Sequence, residues 1–367
     1  MNSQPSRRYL FYACEKYCFP ILRPLQRAIE SRGDECRWFV HGAADDAAYL
    51  LPGDQRCESV SEVIRYQPDA VLTPNNTVPH FFPGAKIQIF HGFNARKRSR
   101  GELDSHFAIR GFFDLYCTQG PSTTRVFDRL AKQYGHFCVI ETGWPKMDPL
   151  FRSPQNDEWQ DPVGAMQNVG ANSEKRRPVI LLTSTFSAQL SCASALLADV
   201  RRLVQQNRFD WLVQFHPKMD AAIVQQYRSI EAPNYRFIET ADVLPYFSAA
   251  DVMVSDTSSV LQEFLQLERP VVTLRNRTPG PWLVDISRPA DLEVALDQVL
   301  LRPPALIQAI RDYNAELHPY RDGASSERVL QAVDQLLDGV IRPRRRKPFN
   351  LVRKLKIRSA LRYWRVR

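Results

Sequence analysis

Short apolar runs alternate with stretches of helical periodicity along the first half of the chain. The runs Tyr9–Ala13, Arg37–Val40, Ala70–Thr73, Ile87–Phe90, Leu115–Thr118 and Cys138–Thr142 predict six strands. Strands that alternate with helices form parallel βαβ units, with helices on both faces of the sheet. From Arg152 to Arg177 the periodicity gives way to Pro, Gln, Asn, Asp, Gly and Ser, the composition of a linker or surface loop. The alternation restarts at Val179–Thr185 and continues through Trp211–Phe215, Arg236–Ile238, Val252–Ser255 and Val271–Leu274. The pattern predicts an α/β protein of two doubly wound domains, residues 1–151 and 178–341, joined by residues 152–177 and followed by a tail, residues 342–367. The carboxyl ends of the two sheets are expected to face a shared cleft, where open α/β folds bind ligands.

Composition narrows this picture. The 367 residues suffice for two cores, and 44% hydrophobic with 24% charged residues is the balance of a globular protein. No window approaches the ~18 unbroken apolar residues of a membrane helix. Arg7 and Arg8 precede an apolar stretch that Glu15 and Lys16 cut short, so no secretory leader is expected and the chain is read as cytoplasmic. Seven scattered cysteines read as reduced thiols, not as a disulfide framework or a zinc site. The net charge of +9 is unevenly placed. Residues 342–367 hold twelve Lys or Arg and no acid, so the remainder, with 37 basic and 40 acidic residues, stands at −3.

Four segments begin where predicted strands end. His91-Gly92, followed by Asn94, Arg96, Lys97 and Arg98, could hold phosphate and take up a proton near neutral pH, or form an ordinary basic loop. Gly143-Trp144-Pro145-Lys146-Met147-Asp148 reads as an enforced turn, with Lys146 and Asp148 either presented to the cleft or paired with each other. His216, at the end of an apolar strand stopped by Pro217, is either aimed at the crevice or a buried structural residue. Ser255-Asp256-Thr257-Ser258-Ser259 opens a helix. There Ser259 and Gln262 have capping-box spacing, and the helix start offers amides and a positive dipole end to a phosphate. The Gly-x-x-x-x-Gly-Lys phosphate loop, the Gly-x-Gly-x-x-Gly fingerprint and the His-Glu-x-x-His zinc motif are absent, which removes support for kinase-like and hydride-transfer chemistry.

Taken in order, His91-Gly92, Thr142 to Asp148, His216-Pro217, Ser255 to Val260 with Glu263, and Tyr320 to Arg328 resemble the motifs of the CDP-glycerol glycerophosphotransferase family, the enzymes of teichoic-acid priming and polymerisation. The resemblance implies a GT-B fold of two Rossmann-type domains facing a central cleft. It also implies transfer of a polyol phosphate, glycerol phosphate first among them, from a CDP-activated donor to a hydroxyl of a glycan or lipid-linked acceptor, releasing CMP. On this reading the catalytic pair is His91, as base, and His216, on the donor diphosphate. Lys146, Asp256, Thr257, Ser258, Ser259 and Glu263 fall on the donor side, and Asn94, Arg96 and Lys97 on the acceptor side. The first domain is then the acceptor-side domain and the second the CDP-donor-binding one. Phe93 to Arg96 stand where the family follows His-Gly with Thr-Pro, and Glu263 stands where it usually has Asp. The chain lacks the large N-terminal extension of the long polymerases, so single addition is expected over polymerisation. Phosphoryl transfer needs positioning, a base and positive charge or amides around the diphosphate. No carboxylate cluster has metal-ligand spacing, so neither a cofactor nor a divalent metal is implied. The alternatives are a GT-B nucleotide-sugar glycosyltransferase or epimerase and, in another class, a nucleic-acid-binding protein.

The tail carries Arg344, Arg345, Arg346 and Lys347, then apolar residues and Trp364 interleaved with further cations. Projected on a helix, the apolar positions form two sectors, with Leu351, Val352, Leu355, Tyr363 and Val366 in one and Ile357, Leu361 and Trp364 in the other, so the stripe is not clean. The expected partner is an anionic membrane surface at the inner face of the cell membrane, where a lipid-linked acceptor would reside. Nucleic acid and a merely solvated tail are the competing readings.

Overall fold

The computed structural model describes residues 6–42, 49–93, 105–152, 176–240 and 242–364. Asn94, Arg96 and Lys97, and nearly all of the expected linker, lie outside the described residues. The chain divides into two compact units. The first takes the chain up to Gly92, residues 105–152 and everything described from Glu316 onward, and the second takes residues 176–315.

In the first unit, β1 (Arg8–Ala13), β2 (Glu35–Val40), β3 (Ala70–Thr73), β4 (Ala85–Ile89), β5 (Leu115–Thr118) and β6 (Cys138–Glu141) form one parallel sheet in the order β2-β1-β3-β4-β5-β6. β1, β3, β4 and β5 are buried along nearly their whole length, and β1, β3 and β5 accordingly read as largely apolar runs, whereas β4 buries Lys86 and Gln88 among its apolar residues. α1 (Cys18–Ser31) buries Phe19, Leu22, Leu25 and Ile29. α2 (Val60–Tyr66) is capped by Ser59, whose side chain accepts from the Glu62 N–H. α3 (Pro121–Tyr134) opens on Pro121 and closes on Gly135 at φ 75°, the backbone a helix terminus of this kind requires. The single turn α4 (Asp148–Phe151) follows the loop after β6.

In the second unit, β7 (Val179–Ser184), β8 (Asp210–Phe215), β9 (Tyr235–Phe237), β10 (Val252–Ser255), β11 (Val271–Leu274) and β12 (Val284–Ile286) are also parallel, ordered β12-β11-β10-β7-β8-β9. Counted from β7, this is the Rossmann strand order, and the order reverses between β7 and β10. The helices are α5 (Ala193–Gln205), α6 (Ala221–Arg228), α7 (Leu244–Ala249), α8 (Val260–Leu265), α9 (Leu292–Leu300) and α10 (Pro304–Leu317). All strands expected from the pattern are present. β12 is added, three residues too short and too unevenly buried to announce themselves.

The expected domain boundary at residue 341 is corrected to Ala315. α10 carries the chain out of the second unit, and α11 (Ser325–Leu337) packs on α1 and β5 of the first. The reason is a set of buried contacts with the loop after β6. The Asp148 carboxylate accepts from the Ser325 N–H at 2.8 Å, the Ser326 N–H at 2.8 Å and the Ser326 hydroxyl at 2.6 Å, capping α11 from 177 positions away. Gly143, at φ 79°, sits so close that a Cβ would lie 2.5 Å from Ser325 Oγ and 2.9 Å from the Tyr320 ring.

The basic tail is not a detached appendage. The Arg345 N–H donates to the Gly135 carbonyl at 2.8 Å, Lys347 Nζ meets Asp114 at 2.6 Å, and Asn350 Nδ2 donates to the Arg110 carbonyl at 2.7 Å. α12 (Leu351–Ala360) then leads to Leu361 and Tyr363, which with Ile357 pack on the first unit's core. Tyr363 stacks on Phe81 at 5.0 Å. The two projected sectors are corrected in one respect: Tyr363 leaves the first for the core and Trp364 leaves the second for solvent, because both lie beyond the end of α12. Leu351, Val352 and Leu355 are therefore exposed together with Phe349 and Trp364, and Arg344, Arg345 and Arg346 are exposed as well. Lys347 is half-buried and ion-paired, so it is removed from the expected surface set. Among the described residues no helix is long and apolar enough to cross a membrane, and all seven cysteines are unbridged.

Candidate active site

At the carboxyl edge of the first sheet the order reverses between β1 and β3. Thr73 Oγ1 and Asn75 Nδ2 donate to the Tyr12 carbonyl at 2.7 and 3.2 Å, tying the ends of those strands together. Asn75 Oδ1 accepts from the Tyr17 hydroxyl at 3.2 Å. This holds the Tyr17 ring 5.6 Å from the imidazole of His91, just beyond β4, with His106 6.5 Å away on another side. His91 reaches solvent, yet desolvation by these neighbours pulls its pKa below the ordinary value, with a smaller contribution from Arg110. The neighbouring Pro74 backbone favours the protonated ring but does not outweigh desolvation. In the neutral ring one nitrogen carries the proton and the other the lone pair. That is the state a general base requires.

Lys146 lies in the first unit, half-buried, with Nζ 5.4 Å above the Trp144 ring. It belongs to the same unit as His91. It does not pair with Asp148, which is buried under α11.

In the second unit, the loops after β7 and β10 flank the reversal point. Asp256 is fully buried and accepts from Ser184 Oγ at 2.7 Å, the Thr185 N–H at 3.0 Å and the Cys192 N–H at 3.1 Å. Its carboxylate therefore ties the β7 loop and the start of α5 to the end of β10, a positioning part in place of the expected direct contact. Thr257 Oγ1 accepts from the Arg277 N–H at 3.0 Å, and Asn276 Nδ2 donates to the Asp256 carbonyl at 3.2 Å, so the loop after β11 closes on the same turn. Ser258 and Glu263 are buried, with Ser258 8% and Glu263 3% exposed. The expected capping box does not form. Ser259 has helical backbone angles and makes no side-chain cap, while Gln262 Nε2 donates to the Tyr313 hydroxyl at 2.6 Å. A capping side chain needs an extended residue to reach the third amide, and Ser259 is not extended.

His216 is exposed after β8. Its Nδ1 accepts from the Lys218 N–H at 3.0 Å, so the neutral ring carries its proton on Nε2 and presents it as a donor. Its ring lies 4.5 Å from Phe186, which is itself 43% exposed. The β7 loop, Ser184 to Phe186, was not among the expected site residues, nor were Tyr17, Asn75 and Asn276. A hydroxyl-rich strand end, like the one at Ser255, was the available signal for the first of these. Among the described residues no group of His, Cys, Asp or Glu has the arrangement of a metal site.

Two parallel-sheet α/β units with reversal-point loops of this kind define a GT-B-like protein. The wall teichoic acid polymerase TagF superposes with a TM-score of 0.64 at 15% identity, covering 92% of this chain and 90% of that one. A UDP-N-acetylglucosamine 2-epimerase superposes at 0.59 and 15% identity over 94% of this chain and 100% of that one. The sequence profile described as CDP-glycerol:poly(glycerophosphate) glycerophosphotransferase matches residues 87–278, and the chain belongs to that family. The teichoic acid poly(glycerol phosphate) polymerase of Bacillus spizizenii is 23% identical over 223 residues, 54% of each chain. A "Probable UDP-N-acetylglucosamine 2-epimerase" of Ralstonia nicotianae is 23% identical over 167 residues, 43% of this chain and 44% of that one. The chain thus spans about half the length of the curated relatives it matches.

Proposed function

We propose that this chain transfers glycerol phosphate from CDP-glycerol to a hydroxyl of a glycan or lipid-linked acceptor. The observation that carries the reading is His91: an imidazole kept neutral by desolvation, packed beside Tyr17 just past the end of a central strand, within the span matched by the glycerophosphotransferase profile. The acceptor oxygen attacks the phosphorus that bears glycerol while its proton passes to His91. The phosphoanhydride bond breaks and CMP departs. His216 Nε2–H and the turn at Thr257 to Ser259 serve the donor diphosphate, held in shape by Asp256. A TagF structure soaked with CDPG, similar in fold at a TM-score of 0.62, supports the choice of donor. No metal or cofactor has a part in this scheme.

Incubation with CDP-glycerol, CDP-ribitol and UDP-N-acetylglucosamine, followed by nucleotide chromatography, tests the proposal. CMP release that disappears in His91→Ala is expected. Turnover of the UDP-sugar alone would replace this reading by the epimerase one. The exposed sector of α12, apolar residues flanked by Arg353, Lys354 and Lys356, supports a peripheral place on the cytoplasmic face of the membrane.

A further inference from the structure

We infer that Trp144 is a positioning residue for the base, and that His318 anchors Trp144. The inference rests on the part given to His91 above. Trp144 is completely buried, and its indole N–H donates at 2.7 Å to the carbonyl of Phe90, the residue immediately before His91. Its backbone N–H donates at 2.9 Å to His318 Nε2. His318 is 1% exposed, and burial holds its pKa down to about 4, so the ring is neutral at physiological pH and can accept on Nε2.

The placement of these bonds is what ties them to chemistry. β4 leads to His91 and β6 leads to Trp144, but the two strands are not neighbours, because β5 lies between them. β4 ends at Ile89, so Phe90 stands beyond the ladder, and its carbonyl takes its hydrogen bond from the indole. The indole therefore spans β5 and fixes the peptide plane from which His91 projects. The chain beyond His91 is Gly92, whose own preferences add little rigidity. Without the indole N–H, the buried carbonyl loses its partner and the Phe90–His91 peptide can rotate. The imidazole then moves relative to Pro74 and Tyr17. A displacement of about 1 Å at a reacting group costs up to ~10²-fold in rate.

Trp144→Phe removes the N–H and keeps most of the ring. We expect kcat to fall about tenfold or more with KM for CDP-glycerol nearly unchanged, because the proposed donor groups lie in the second unit. A purely structural part would lower the melting temperature without this split. A second readout needs no turnover: the His91 ring resonances and titration midpoint, followed by NMR in isotope-labelled protein, should move in Trp144→Phe. His318→Gln, whose carbonyl can still accept from the Trp144 N–H, should retain kcat, whereas His318→Leu should reproduce the defect, and this pair decides the matter if Trp144→Phe does not fold. Wild-type kcat and unmoved His91 resonances in Trp144→Phe would overturn the inference, as would equal loss in both His318 variants. Turnover retained in His91→Ala would instead remove the base assignment, and the NMR comparison would still report whether the indole positions the ring.

Discussion

Replacing Asp148 by Ala should unlatch α11 from the loop after β6. In the folded protein this carboxylate is 1% exposed and accepts two backbone N–H groups and one hydroxyl at the start of α11. Losing a helix cap costs about 1 kcal/mol. Leaving buried donors unsatisfied adds about 1–3 kcal/mol, and the contributions overlap because they share one acceptor. We therefore expect a loss near 3 kcal/mol from the first unit. Asp148→Asn keeps one acceptor oxygen and should lose about half of that, and Ser326→Ala, which removes only the 2.6 Å hydroxyl bond, about 1 kcal/mol. Equilibrium urea unfolding followed by tryptophan fluorescence, with a double-mutant cycle between Asp148 and Ser326, measures these differences. Lys146→Ala is the control and should change little. A loss below about 1 kcal/mol in Asp148→Ala at unchanged m-value would refute the argument, because α11 would then hold to the first unit without its distant cap.

Other consequences follow from the same geometry. Because the His91 pKa lies below its ordinary 6.5, the base stays deprotonated as pH falls through that value, and the acidic limb of kcat/KM should appear only below it; a limb above 6.5 would contradict the environment described. His216→Ala and Asp256→Asn should both weaken CDP-glycerol binding in calorimetry, the first by removing a donor and the second by loosening the loops after β7 and β10; unchanged affinity in both would place the donor elsewhere. Cutting the chain at Arg342 should destabilise the first unit by about 2–3 kcal/mol through loss of Ile357, Leu361 and Tyr363 from its core. A Leu351→Ser, Val352→Ser, Leu355→Ser variant should instead keep its melting temperature and lose cosedimentation with anionic vesicles. Lys86 is 5% exposed, and burial lowers its pKa to about 8, so the unfolded chain binds the extra proton between that value and 10.5; stability should rise with pH across this window, and Lys86→Met should flatten the rise.

The sequence by itself determined the two sheets. The strands nearest the middle of each sheet, β1 and β3 in one and β7, β8 and β10 in the other, are covered on both faces and written as largely apolar runs that need no knowledge of their neighbours, and the strand ends that carry His216 and Ser255 could be read for the same reason. What depended on distant partners was not legible. The helical pattern of Ser325–Leu337 is equally compatible with either sheet, and contacts with residues far away in sequence, the buried bonds to Asp148 and the close approach at Gly143 among them, assign it to the first. Ser259 and Gln262 have the spacing of a cap, but Tyr313 draws the glutamine away. The apolar sectors of the tail look alike in one dimension, and packing on the first unit covers Ile357, Leu361 and, against Phe81, Tyr363, while Val352 and Trp364 face solvent. Asp256 reads as a ligand contact until three donors from another strand's loop enclose it. Burial periodicity is a local property of the chain, whereas the partner that satisfies a buried polar group is chosen only when segments far apart in sequence pack together.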